Sequence, residues 1–215
     1  MSLIDTSWLE KNIDKVKIID CSWHMPQTQR SGFEEYIEEH IPNAIFFDLD
    51  KNSKLDTDLP HMLTDSKSWE KIMSNMGIEN NDRIVIYDNS DVISSCRCWY
   101  NLIYYGHDPQ LVHVLDGGLK KWKKENKSTD NKEVITQTSK YTCKENKELV
   151  KNKKQIVENI DTEKFNSFKF DHDKDLVFSC GSGVTASVLA LAYSLINAKY
   201  MPTIYDGSWA EYGKN

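Results

Sequence analysis

The chain has 215 residues, of which 39% are hydrophobic and 28% are charged, and its formal net charge is −6. This composition is typical of a folded globular protein with one large domain or two small ones. It argues against a nucleic-acid-binding surface, because the lysines are scattered, and against a membrane span, because no apolar run reaches about 18 to 20 residues. The acidic, amphipathic N-terminus and the five cysteines predict a cytoplasmic protein with free thiols.

Short strands alternate with helices along the first part of the chain. The predicted strands are KIIDCSW (17–23), AIFFDLD (44–50), RIVIYD (83–88) and LVHVL (111–115), and the predicted helices are GFEEYIEEHIP (32–42), DSKSWEKIMSNMG (65–77) and SSCRCWYNLIYYG (94–106). Alternation of this kind predicts an α/β fold with a parallel sheet flanked by helices.

The pattern then repeats in shorter form. DLVFSC (175–180) parallels RIVIYD, VTASVLALAYSLI (184–196) predicts a second apolar helix, and Asp116 and Asp206 each begin an Asp-Gly turn after a strand. Before Cys180 the second copy offers only an amphipathic helix at 145–160, with Thr142 and Glu145 as its capping box, and a polar loop at 161–175. We therefore predict tandem domains, the second incomplete: a first domain at 1–125, a linker at 126–144 and a shortened second domain at 145–215.

The stretch FSCGSGVTA (178–186) places Cys180 in a tight turn between a strand and a helix. Glycines in such a turn let backbone N–H groups converge, and the helix N-terminus adds its positive end, so the turn favours an anion and, on a cysteine, the thiolate. In the first copy Asp88 occupies this position. A phosphatase loop, Cys-x5-Arg, is excluded because the residue six after Cys180 is Ala186. A lone cysteine after a strand is more commonly a small buried hydrophobe.

With these motifs the chain resembles the rhodanese superfamily, and more narrowly the two-domain 3-mercaptopyruvate sulfurtransferases. The resemblance rests on SWHMP, EEYIEEHIPNAIFFDLD, LPHML, VIYDNSD, GHDPQLVHVLDGGLKKW, CGSGVTA and IYDGSWAEYG. It implies a catalytically silent first domain and a nucleophile in the second. The expected reaction moves sulfane sulfur from 3-mercaptopyruvate or thiosulfate, through a Cys180 persulfide, to a thioredoxin-like thiol, a small thiol or cyanide. No cofactor or metal is expected, and neither a nucleic acid nor a membrane is an expected partner.

The resemblance also implies the site residues. Cys180 would be the nucleophile, while Ser182, His61 and Asp50 would form a proton relay for the leaving enolate. Without the resemblance, Ser182 would shape the turn or cap the helix, and His61 would be an exposed loop histidine. Thr185 is also a candidate cap of the helix after the loop. Substrate contacts are expected from the rest of the loop: Gly181, Gly183, Val184 and Thr185.

One departure from the family concerns its substrate-binding arginines, which belong to the early part of the second domain. The arginines here are Arg30, Arg83 and Arg97, so a lysine would have to serve as a point charge. The chain is therefore either a sulfurtransferase, a weak or inactive rhodanese-like binding or sulfur-carrying module, or a poorly folded remnant with exposed sheet edges. The turns at Asp116 and Asp206 are expected to be turn chemistry only, and Cys96 and Cys98 to pack inside a helix rather than bind a metal.

Overall fold

A computed structural model of the chain describes residues 2–162 and 176–214. The first domain is built on a five-stranded parallel sheet in the order β1-β5-β4-β2-β3. Its strands are β1 (Leu3–Ile4), β2 (Lys17–Asp20), β3 (Ala44–Phe46), β4 (Ile84–Tyr87) and β5 (Val112–Leu115). The central strands β4 and β5 are buried along their whole length, as expected for a sheet covered by helices on both faces.

Five helices cover this sheet: α1 (Thr6–Asn12), α2 (Gly32–Glu38), α3 (Ser66–Asn75), α4 (Ser95–Tyr104) and α5 (Gly118–Lys124). Side chains cap several of them as their sequences suggest. Asp65 accepts hydrogen bonds from the backbone N–H groups of Lys67 and Ser68 at the start of α3, and Gly77 follows the helix with a φ of +67°. The predicted helices and strands of the first domain are confirmed, but most strands are shorter than predicted and α2 ends at Glu38 rather than at 42.

The second sheet repeats one side of the first. It has three parallel strands in the order β6-β8-β7, namely β6 (Val150–Lys151), β7 (Val177–Phe178) and β8 (Thr203–Tyr205). By order and connection they correspond to β1, β4 and β5, and no strand among the described residues corresponds to β2 or β3. The helices are α6 (Lys153–Thr162), α7 (Val184–Ile196) and α8 (Ser208–Tyr212). An α/β fold with parallel sheets flanked by helices is thus confirmed.

The prediction of one helix over 145–160 is wrong. A 3-10 turn at Lys147–Leu149 leads into β6, and α6 begins only at Lys153. Val150 is extended because it pairs with Ile204 of β8, a long-range contact that overrides the local helical pattern. The capping box is formed by Asn152 and Gln155, whose side chains each accept a hydrogen bond from the other's backbone N–H at 3.0 Å.

The proposed capping box of Thr142 and Glu145 is therefore also wrong. The backbone N–H and carbonyl of Thr142 bind the side chain of Asn80, and the Glu145 carboxylate accepts from Ser66. The segment predicted as a linker, 126–144, thus lies along the first domain. The polar loop predicted at 161–175 lies outside the described residues from 163 onward.

Helix α4 belongs to both halves of the protein. All ten of its residues are buried, because one side faces the first sheet and the other packs against α7. Cys96 and Cys98 lie inside this helix, as predicted. Helix α7 is less buried than its apolar sequence predicted, since Leu189, Leu195 and Ile196 are exposed.

Candidate active site

Cys180 lies between β7 and α7, and its loop is fixed by the start of α8. The Cys180 carbonyl accepts a hydrogen bond of 2.9 Å from the Trp209 N–H, and the Gly181 carbonyl accepts one of 3.0 Å from the Ala210 N–H. The Cys180 N–H donates to the Ser208 hydroxyl at 3.4 Å. The two loops that follow β7 and β8 therefore form one unit at the carboxyl ends of parallel strands, where α/β folds bind ligands.

The Cys180 thiol is biased toward the thiolate. Burial of the sulfur opposes its ionisation, but hydrogen bonds from the Thr185 hydroxyl and from the backbone N–H groups of Ala186, Ser182 and Gly183 outweigh this and lower the pKa of Cys180. At Cys96 and Cys143 burial prevails instead and raises the pKa of each thiol to about 12. Cys180 is half-buried, whereas Cys21, Cys96 and Cys98 are buried.

The three residues expected to form the relay lie in one chain of hydrogen bonds. The Ser182 hydroxyl lies 2.9 Å from His61 Nδ1, and His61 Nε2 lies 3.0 Å from Asp50 Oδ1. The hydrogen bond with His61, more than any other contact, holds the pKa of Asp50 below its ordinary value. His61 is 6% exposed, so the alternative of an exposed loop histidine is wrong. Asp50 and His61 come from the first domain and Ser182 from the second, so this chain of hydrogen bonds exists only while the two domains are docked.

A buried ion pair joins the domains directly behind this chain. Arg97 Nη2 of α4 lies 2.6 Å from Asp206 Oδ1 and donates at 2.6 Å to the carbonyl of His61. The other Asp206 oxygen accepts from the Leu63 N–H at 2.9 Å. Together, the two side chains bind the backbone at His61 and two residues after it, where His61 itself has a φ of +58°. The expectation that Asp206 serves only as a turn residue is wrong. A signal was present, because Arg97 is the one charged residue of α4, whose sequence is SCRCWYNLIY.

The four loop residues expected to contact substrate differ in their surroundings. At Gly181 a Cβ would meet no atom of the described residues within 4 Å. Gly183 has a φ of +81°, and a Cβ would lie 2.7 Å from Arg97 Nη1. The Val184 side chain is buried in the core, which leaves only its backbone for a ligand. The prediction that Thr185 caps α7 is wrong: the N-cap is Gly183, without a side-chain cap, and the Thr185 hydroxyl contacts the Cys180 sulfur instead.

The equivalent loop of the first domain holds a carboxylate. Asp88 accepts hydrogen bonds from the backbone N–H groups of Ser90 at 2.9 Å and Ser95 at 3.0 Å. Its carbonyl accepts from the Leu119 N–H at 3.1 Å, which matches the bond between Cys180 and Trp209. The first loop thus binds an anion in the same manner as the second, but the anion is a side chain of the loop itself.

Within residues 2–162 and 176–214, no group of histidine, cysteine or acidic side chains is arranged to hold a metal ion. None of the helices in these same ranges combines the length and the apolar character needed to cross a membrane.

The model of the rhodanese-like domain matches residues 5–125, which is more than half of the chain. The chain belongs to the rhodanese-like family. The resemblance to the rhodanese superfamily stated from the motifs is therefore confirmed, and the relatives below extend it to the 3-mercaptopyruvate sulfurtransferases.

The relatives of this rhodanese-like protein are sulfurtransferases, which are enzymes of the transferase class. It is 28% identical to the mitochondrial thiosulfate/3-mercaptopyruvate sulfurtransferase 1 of Arabidopsis thaliana over 98% of this chain and 75% of that protein. It is 26% identical to the 3-mercaptopyruvate sulfurtransferase of Escherichia coli (strain K12), over 98% of this chain and 94% of the relative. The first alignment is 288 positions long, so the relative has stretches that this 215-residue chain lacks.

Solved structures show the same fold. The crystal structure of SseA from Escherichia coli superposes with a TM-score of 0.85 at 24% identity, covering 97% of this chain and 99% of that one. Tum1 protein from Saccharomyces cerevisiae gives a TM-score of 0.84 at 21% identity, covering 99% of this chain and 94% of the other.

Proposed function

We propose that the protein is a sulfurtransferase that carries sulfane sulfur on Cys180 as a persulfide. The observation that carries this proposal is the Cys180 thiol, whose pKa is lowered by the loop N–H groups and Thr185 and which lies beside the chain of Ser182, His61 and Asp50. The sulfurtransferase relatives support it.

With 3-mercaptopyruvate, the Cys180 thiolate attacks the sulfur of the donor. The carbon–sulfur bond breaks, its electron pair passes to the enolate of pyruvate, and the proton of the donor thiol is needed to convert that enolate to pyruvate. Ser182 and His61 are placed to pass this proton, while Asp50 orients the imidazole. The product is pyruvate and the persulfide anion of Cys180, which the same N–H groups stabilise. A thiol of a thioredoxin-like protein or of a small molecule, or cyanide, then removes the outer sulfur.

The proposed arrangement of the chain is a silent first domain at 1–125, a linker at 126–144 and a nucleophile-bearing domain at 145–215. The position of Asp88 supports it, since a carboxylate in the first loop has no nucleophilic sulfur to offer. The contacts of His61 with Ser182 and of Arg97 with Asp206 support a site that needs both parts.

Intact-mass spectrometry tests the proposal. Incubation with 3-mercaptopyruvate or thiosulfate should add one sulfur, about 32 Da, to the wild type and to the matched control Cys143→Ser, but not to Cys180→Ser. Cys143 is the suitable control because it is also a partly buried thiol, but one whose pKa is raised. An adduct that persists in Cys180→Ser would overturn the proposal.

A second candidate is a binding or sulfur-carrying module with little turnover, and the arginines favour it. Arg30 is paired with Glu35 at 2.6 Å, Arg83 lies over the Trp8 ring at 5.9 Å, and Arg97 is fully buried. Each guanidinium is thus already paired, stacked on a ring or buried, which makes it a poor partner for a substrate carboxylate. A cooperative thermal transition without any sulfur adduct from either donor would favour this module, and an absence of cooperative unfolding would favour a poorly folded remnant.

A further inference from the structure

The orientation of the Asp50 carboxylate is not fixed by its contact with His61 alone. Its side chain is 66% exposed, whereas the His61 side chain is 5% exposed. An exposed carboxylate exchanges freely with water and gains little from one ion pair, so His61 alone does not fix its direction. A second contact is required if Asp50 is to orient the imidazole.

Trp23 supplies that contact. Its indole Nε1 lies 3.1 Å from Asp50 Oδ1 and 3.0 Å from Oδ2, so the N–H donates between the two oxygens. The same ring meets His61 edge-on, with 4.7 Å between ring centroids and an interplanar angle of 83°. We infer that Trp23 is a positioning residue of the proton relay. Its ring and N–H keep Asp50 and His61 oriented toward each other. This inference rests on the proposed sulfur transfer.

Trp23 is itself held by the loop that carries Asp88. The Trp23 backbone N–H donates to the Ser94 hydroxyl at 3.1 Å, and Ser94 donates to the Cys21 carbonyl at 2.5 Å. Ser94 also lies 3.0 Å from the hydroxyl of Ser90, which binds Asp88. The Asp88 loop, which has no nucleophile of its own, therefore supports the Cys180 site by fixing Trp23.

The choice of donor separates positioning from general structural damage. Cleavage of 3-mercaptopyruvate releases an enolate that needs a proton, so it depends on Asp50 and His61. Thiosulfate transfers its outer sulfur to the thiolate and releases sulfite, with charge balanced and no proton required. Loss of the Trp23 N–H should slow the first reaction and spare the second.

The test variant is Trp23→Phe, which keeps an aromatic ring and removes only the N–H donor. The matched control is Trp8→Phe, since Trp8 is also half-buried but lies against Arg83 and His113. We expect Trp23→Phe to lower kcat/KM for 3-mercaptopyruvate roughly tenfold, a part of the factor that general acid–base catalysis contributes. For thiosulfate we expect less than about a twofold change, and Trp8→Phe should match the wild type with both donors.

A double variant tests whether Trp23 acts through Asp50. If it does, Trp23→Phe combined with Asp50→Asn should be no slower than Asp50→Asn alone, because the group that Trp23 holds has lost its charge. Equal slowing with both donors, a full additional loss in the double variant, or wild-type rates in Trp23→Phe would each overturn the inference. Wild-type protein that takes no sulfur onto Cys180 from either donor would instead overturn the proposed function itself.

Discussion

The two glycines that flank Ser182 should respond very differently to one added methyl group. Gly183 has a φ of +81°, and its new Cβ would lie 2.7 Å from Arg97 Nη1. Because Arg97 is fully buried and bound to both Asp206 and the His61 carbonyl, its guanidinium cannot move aside. Gly181 has no such constraint from residues 2–162 and 176–214, since its Cβ would meet none of their atoms within 4 Å.

The cost of Gly183→Ala follows from these two features. A left-handed conformation costs an L-residue about 1–2 kcal/mol, and overpacking a tight contact adds about 1–3 kcal/mol. At 2–4 °C per kcal/mol for a chain of this size, Tm should fall by about 5–15 °C. Gly181→Ala should leave Tm within about 2 °C of the wild type, because it incurs neither the left-handed conformation nor the overpacked contact.

Thermal unfolding of the three proteins, followed by circular dichroism and by calorimetry, measures this difference. The reasoning would be refuted if Gly183→Ala melted with the wild type, or if Gly181→Ala lost as much stability as Gly183→Ala. Either result would mean that Arg97 does not define the back of the Cys180 loop.

Three further predictions concern the same site. The pKa of Cys180 is lowered while that of Cys143 is raised to about 12. Cys180 should therefore be alkylated by iodoacetamide near pH 7 well before Cys143, which peptide mass mapping measures. Equal labelling of the two cysteines would contradict this. Thr185→Val should raise the pH midpoint of Cys180 alkylation by about one unit, since the thiolate loses a charge-assisted hydrogen bond, whereas Ser194→Ala, further along α7, should leave it unchanged. Asp206→Asn should lower the free energy of unfolding in urea by about 3–5 kcal/mol, because it leaves buried Arg97 without its counter-charge. The double variant Arg97→Met with Asp206→Leu should lose less stability than that single change. A greater loss in the double variant would contradict the prediction.

The predictions from sequence succeeded where a signal was local. Helix α7 occupies 184–196 as its apolar run predicted, and the glycine-rich turn marked Cys180 because convergent N–H groups have a recognisable sequence. The strands β1 and β6 were missed because two residues are too few to show periodicity, and each is extended only through its pairing with β5 or β8. The pair of Arg97 and Asp206 was missed because it joins positions 109 apart in the chain. The sequence shows Trp23 only as part of the SWHMP motif, because nothing local reveals that its indole N–H donates to Asp50.

The burial of α4 on all sides bears on how the protein can be divided. A fragment that ends near 125 would keep α4 but lose α7, and it would present to water an apolar surface that α7 covers in the whole chain. A fragment that begins near 145 would lack the helix on which α7 rests, together with Arg97, the counter-charge of Asp206. Neither half is therefore suited to exist alone, and we expect the protein to be made, unfolded and degraded as a unit.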